Sequence, residues 1–79
     1  MQNSIHFDAM LQERGIKREW IEQTVRIPDR TEYYDDGTRH LIKRIPEFGN
    51  RWLRVIVNTT VRPEKRITAF FDRRLRRKK

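Results

Sequence analysis

The chain has 79 residues, no cysteine, and nineteen Lys and Arg against eleven Asp and Glu, for a net charge of +8. This length allows one domain with a small core. The lack of cysteine excludes a disulfide framework and a thiolate zinc site, and it fits a reducing cytoplasm. Because neither a long apolar run nor a signal-peptide pattern occurs, we expect a soluble, cytoplasmic protein that does not enter a membrane.

The positive charge is concentrated at the carboxyl end. Six cations lie in the last seven residues, and the remainder of the chain carries only +2. These six are Arg73, Arg74, Arg76, Arg77, Lys78 and Lys79. We predict a folded domain over residues 1–72 and a basic tail over residues 73–79. Such a tail binds RNA or an acidic protein through counterion release, or it is simply a solvated terminus.

Two short helices are predicted in the first third of the chain. Apolar residues recur at helical spacing from Phe7 to Leu11, and Gly15 supplies a stop, which predicts a helix over residues 4–14. A second apolar stripe runs from Trp20 to Val25, and Pro28 forces the chain out of helix. The second helix is therefore predicted over residues 17–26.

From Asp29 onward the apolar period changes from helical spacing to two. Strands are predicted over residues 31–34, 39–45, 51–57 and 67–71, with Asp36 and Gly37 in the first hairpin turn. The expected fold class is α+β, with two amino-terminal helices packed on a four-stranded antiparallel sheet.

The strand predicted over residues 51–57 carries an arginine in an unusual place. Its odd-numbered positions 53, 55 and 57 are apolar, whereas Arg54 stands between Trp52 and Ile56 on the other face. Two helices can cover only one face of so small a sheet. We therefore expect Arg54 to project from the uncovered face, where it meets water, a ligand or another protein.

Other basic and aromatic residues are expected beside Arg54. Either Lys43 or Arg44 shares its face, because a register slip of one residue exchanges them. Either Tyr33 or Tyr34 joins them in the same way. A basic face with interleaved aromatic rings suits RNA, and it also suits an acidic protein or an ordinary solvated sheet surface.

The order of landmarks along the chain resembles a known group of small proteins. It runs through His6, then Arg14, Gly15 and Ile16, then Pro28 and Asp29, then Gly37, then residues 53–57 and 67–70. The resemblance covers about residues 5–72. They are similar to a family of small bacterial domains of uncharacterised function that is grouped with the RelE-like and BrnT-like toxins, within the fold that includes barnase.

The resemblance implies the toxin half of a toxin–antitoxin pair, with metal-independent ribonuclease activity on RNA or mRNA. Its implied partners are a cognate antitoxin protein and RNA, with or without a ribosome, and no cofactor is implied. The alternative function is a non-catalytic module that binds RNA or a protein through the basic sheet face. Met10 and Phe7 depart from the family pattern, which usually has a second basic residue and a small residue at these places.

Site residues follow from the resemblance and from the chemistry of RNA cleavage. The expected catalytic residues are His6, Arg54 and Lys43, with His6 as acid or base and Arg54 on the phosphate. A lone histidine on a helix is also a common structural group. The expected RNA-binding residues are Arg44, Trp52, Arg51, Arg73, Arg74, Arg76 and Arg77.

Metal chemistry is not expected. His6 and His40 are the only histidines, and neither has a carboxylate at ligand spacing. Asp35 and Asp36 precede Gly37, a pattern typical of a turn and not of a paired carboxylate site.

Overall fold

The computed structural model describes residues 1–75. It contains two α-helices, α1 (Phe7–Arg14) and α2 (Arg18–Arg26), and five strands. The strands are β1 (Gln2–Asn3), β2 (Arg30–Tyr33), β3 (Thr38–Ile45), β4 (Arg51–Asn58) and β5 (Lys65–Phe71). Two 3-10 turns cover Pro46–Phe48 and Arg73–Leu75. The α+β class is therefore confirmed.

The sheet has five strands in the order β1-β5-β4-β3-β2. Strands β2 to β5 form the predicted antiparallel meander, but β1 adds a parallel edge beside β5, so the prediction of four antiparallel strands is approximately right but incomplete. β1 is held by backbone bonds from the N–H of Gln2 to the oxygen of Glu64 (2.8 Å) and from the N–H of Ser4 to the oxygen of Arg66 (2.9 Å). Two residues are too few to show any periodicity, which is why this strand leaves no sequence signal.

The helix ends follow the local signals. Gly15 adopts the left-handed conformation, with φ of 66°, and closes α1 as predicted. α1 begins at Phe7, later than expected, because the N–H of Ser4 still bonds to β5, at the oxygen of Arg66. α2 ends at Arg26, two residues before Pro28. No helix within residues 1–75 is long and apolar enough to cross a membrane.

Both helices pack on one face of the sheet. The core joins Phe7 and Leu11 of α1 and Trp20 and Ile21 of α2 to apolar side chains of β3, β4 and β5. The sheet contributes Leu41, Ile45, Leu53, Val55, Val57 and Ala69. All three odd-numbered residues of β4 from 53 to 57 have no exposed surface. The opposite face of the sheet, which the helices do not cover, is called the open face below.

Candidate functional site on the open face

The strand register decides which side chains share the open face with Arg54. Arg54 of β4 lies opposite Ile42 of β3, and Arg44 lies opposite Trp52. Lys43 lies opposite Leu53, a core residue, and therefore points to the helix side. Of the two alternatives at this position, Arg44 and not Lys43 shares the face of Arg54.

Arg54 is buried and surrounded by partners. Its Nε donates to Oδ2 of Asp72 at 2.9 Å, and its Nη1 donates to Oε1 of Glu32 at 3.0 Å. Nη1 also lies 2.8 Å from Nδ1 of His40. Only 6% of the side chain is exposed, so Arg54 does not project into solvent as expected. Its charge is instead balanced by two carboxylates. Two carboxylates make this burial tolerable, because a buried charge needs both a counter-ion and hydrogen bonds.

Glu32 connects Arg54 to the edge strand. Its Oε1 accepts from the hydroxyl of Tyr34 at 2.7 Å as well as from Arg54, and its Oε2 accepts from Nη2 of Arg30 at 2.8 Å. Hydrogen bonds from Arg30, Tyr34 and Arg54 lower the pKa of Glu32 to about 2. The carboxylate is therefore ionised throughout the physiological range.

His40 is held as a neutral imidazole. A guanidinium can only donate hydrogen bonds, so Nδ1 of His40 must be the acceptor from Arg54, and the ring proton lies on Nε2. Burial, followed by the charge of Arg54, holds the pKa of His40 below its usual value. The ring of Tyr34 lies against it, with 4.2 Å between the ring centroids.

Asp72 ties the end of the sheet to the same arginine. Besides Arg54, it accepts from the backbone N–H, the Nε and the Nη2 of Arg74, each at 3.0 Å. The bonds from Arg74, followed by those from Arg54, lower the pKa of Asp72 to about 2. Its own N–H donates to the carbonyl of Trp52 at 2.8 Å, which fixes the Arg73–Leu75 turn beside β4. Arg54, Glu32, His40, Tyr34 and Asp72 are called the Arg54 cluster below.

The predicted catalytic set is not assembled. His6 is exposed at the amino end of α1, in the helix layer. Lys43 donates from Nζ to the carbonyl of Ile27 at 3.0 Å, at the end of α2, also on the helix side. Arg54 lies on the opposite face, so the sheet separates it from both. For Lys43 the physical reason is parity, since adjacent residues of a strand point to opposite faces.

The predicted RNA-binding residues fall into three places. The Arg44 guanidinium lies 5.8 Å from the ring of Trp52 on the open face. Arg51 lies 4.8 Å from the ring of Phe48, and Arg51 and Arg73 help to line a cavity of about 40 Å³ at the end of the sheet. Arg74 is exposed and paired with Asp72. Arg76 and Arg77 lie outside the described residues.

Four members of the Arg54 cluster were not among the predicted catalytic or RNA-binding residues. Glu32 and Tyr34 alternate with Arg30 and so share one face of the edge strand, a period-two signal that could have indicated them. Asp72 has no such signal, because only the folding of the chain end brings it to Arg54. His40 was recognised in sequence but had no partner there that would identify a role.

Within residues 1–75, no group of three or more acidic or histidine side chains could hold a metal ion.

Comparisons with known proteins place the chain in a family without giving it an activity. Neither the curated proteins nor the solved structures contain a match. A family model described as "Domain of unknown function (DUF4258)" matches residues 4–71. Because this match spans most of the chain, the protein belongs to the DUF4258 family.

Proposed function

We propose that the protein cleaves RNA without a metal ion, at the Arg54 cluster on the open face. The observation that carries this proposal is the contact of one arginine with a carboxylate and a neutral imidazole, at 3.0 Å and 2.8 Å, on a sheet face that the helices leave uncovered. Paired ionisable groups with shifted pKa values are concentrated at functional sites.

The cluster contains the chemical groups that such a cleavage needs. Attack of the ribose 2′-hydroxyl on phosphorus requires a base, a proton donor for the leaving oxygen, and cations for the charge that develops on the phosphoryl oxygens. Glu32 is assigned as the base, and His40, once it is protonated on both ring nitrogens, as the donor. Arg54 and Arg30 are assigned to the phosphoryl oxygens.

Substrate binding would have to rearrange the resting hydrogen bonds. A carboxylate with a pKa of about 2 is a weak base, and Glu32 is weak because Arg30, Tyr34 and Arg54 all donate to it. A phosphate group competes for the same two guanidinium groups. When it draws them from Glu32, the pKa of Glu32 rises and an oxygen becomes free to take the 2′-hydroxyl proton. Nearby phosphate also offsets the charge of Arg54 and favours protonated His40.

In the cell, the proposed activity is that of the toxin half of a toxin–antitoxin pair in the cytoplasm. The support is the sequence resemblance to RelE-like toxins together with the basic residues around the cluster. Arg44 and Arg73 are exposed near the same end of the sheet and would hold the RNA backbone, with or without a ribosome, whereas Arg51 lies on the helix side with Leu53. An antitoxin with an acidic segment would neutralise the same cations.

The second candidate is a module that binds RNA or a protein without cleavage. The hydrogen bonds of Glu32 and Asp72 favour it. All four carboxylate oxygens already accept hydrogen bonds from side chains of the protein, so none is free to act as a base. In that case Arg44 and Trp52 would contact the ligand and the Arg54 cluster would only support the sheet.

The test is cleavage of end-labelled RNA, alone and on ribosomes, in the presence of EDTA. We expect the wild type to leave 2′,3′-cyclic phosphate ends, and Glu32→Gln, which preserves size and one acceptor oxygen but cannot act as a base, to be slower by about 100-fold or more. Lys43→Gln and His6→Asn are matched controls from the helix side and should cleave like the wild type. Induction of the wild type, but not of Glu32→Gln, should arrest bacterial growth.

The outcomes separate the two candidates. RNA binding that weakens with salt, with no cleavage on either substrate, would establish the binding module and exclude the enzyme. Loss of cleavage in Lys43→Gln or His6→Asn with normal cleavage by Glu32→Gln would move the site to the helix side and contradict the assignment.

A further inference from the structure

Strand β2 presents an unpaired edge. It is the last strand in the sheet order, and within residues 1–75 it pairs only with β3. The N–H of Tyr34 donates to the carbonyl of Thr38 at 3.1 Å, at the end of the ladder in which Tyr33 lies opposite Arg39. Because such bonds alternate along an antiparallel pair, Arg30 and Glu32 bond to β3, whereas Thr31 and Tyr33 direct their N–H and C=O groups outward.

This edge is only partly protected against pairing, since it is four residues long and carries the charged residues Arg30 and Glu32. Native edges are commonly blunted by lysine, by proline within the strand or by a cover of other structure. β2 has no lysine or proline between Arg30 and Tyr33, and the Tyr33 residue beside its free groups is 79% exposed. Large exposed aromatic side chains beside free backbone donors favour addition of another strand.

We propose that β2 pairs with β2 of a second copy of this chain, in antiparallel orientation, to give one continuous sheet across the two copies. The charges of the strand select the register. A two-fold axis through the shared edge places side chains of the same face opposite each other. If the axis passes at Arg30 or at Glu32, that residue lies opposite its own copy and like charges meet. If it passes at Thr31, Arg30 of each copy lies opposite Glu32 of the other, which gives two ion pairs across the edge.

This register has a geometric consequence for the proposed site. The two open faces lie on the same side of the joined sheet, and Arg30 of the second copy lies next to Glu32. With strands about 4.8 Å apart, the two Arg54 residues are separated by about 24 Å. The pairing itself rests on the edge and its charges, and it holds whether or not the protein acts on RNA.

The lack of cysteine in the chain allows a direct test of the register. Thr31 of each copy would form a hydrogen-bonded pair with Cα atoms about 5.5 Å apart, which a disulfide can span. Thr31→Cys should therefore form a covalent dimer on mild oxidation. Tyr33→Cys is the control. Position 33 lies opposite position 29 of the second copy, so the two residues at position 33 are about 13 Å apart in the dimer. Equal cross-linking at both positions would contradict the register.

Sedimentation velocity over a concentration series tests the association itself. We expect the wild-type mass to rise from 9.8 kDa toward twice that value. Thr31→Pro should stay monomeric, because it removes an outward N–H that β2 does not use in its own ladder, and Thr31→Val should associate like the wild type. Amide NMR spectra confirm that the proline variant is folded. A wild type that stays monomeric, or a dimer that persists in folded Thr31→Pro, would overturn the proposal.

Discussion

At the scale of single residues, Arg54 determines the electrostatics of the open face. It compensates Glu32 and Asp72, and it also fixes the tautomer of His40. Removal of either carboxylate would leave a buried guanidinium undercompensated, which lowers the free energy of unfolding. Arg54 would therefore support both the fold and the proposed chemistry, so activity measurements on Arg54 variants need a check of folding.

The state of His40 can be measured directly by NMR. We expect nitrogen-15 shifts of a neutral ring with the proton on Nε2, and a titration midpoint below the ordinary value of 6.5 because burial and Arg54 both disfavour the imidazolium. In a folded Arg54→Gln variant the midpoint should rise, since the repelling charge is gone. A proton on Nδ1 in the wild type, or a midpoint at or above 6.5, would contradict the assignment.

At the scale of elements, the β2–β3 turn depends on Gly37. Its φ is +85°, and a Cβ atom there would lie 2.5 Å from Cγ2 of Thr60 in the loop after β4. This turn holds Glu32 and Tyr34 in place beside His40. Gly49 also has a positive φ, +65°, but a Cβ atom there would meet nothing within 4 Å.

The two glycines therefore form a matched pair for mutagenesis. Gly49→Ala should lower the free energy of unfolding by about 1 kcal/mol, the cost of a left-handed alanine. Gly37→Ala should cost about 2 kcal/mol more, because the loop carrying Thr60 must also shift. Urea denaturation of both variants measures the difference, and equal costs would show that the contact with Thr60 is easily relieved.

At the scale of the whole molecule, two carboxylates link stability to pH. The pKa values of Glu32 and Asp72 are about 2 in the folded protein, below the ordinary values of 4.5 and 3.8. At pH values between the folded and the unfolded pKa, the unfolded chain binds more protons than the folded one, so acid favours unfolding. Their contribution is complete above about pH 5 and is lost as pH falls toward 2.

Over that pH range we expect the free energy of unfolding to fall by about 2 kcal/mol through Asp72. The fall through Glu32 should be smaller, because its side chain is partly exposed. Asp72→Asn should have lower stability at neutral pH and a flatter acid profile. Asp8→Asn is the control, since its ion pair with Arg18 is more than half exposed and contributes at most about 1 kcal/mol. Chemical denaturation at several pH values gives both profiles, and parallel profiles for wild type and Asp72→Asn would refute the linkage.

The sequence alone determined the features that depend on local sterics and on the burial period. Gly15 and Pro28 limit the helices because of their backbone conformations, and the alternation within β4 separates Arg54 from the core. Only the tertiary structure decided the register that puts Arg44, and not Lys43, beside it, and the chain path that brings in Asp72. Strand register and long-range ion pairs depend on how segments that are distant in sequence pack together, and a local sequence pattern does not determine that packing.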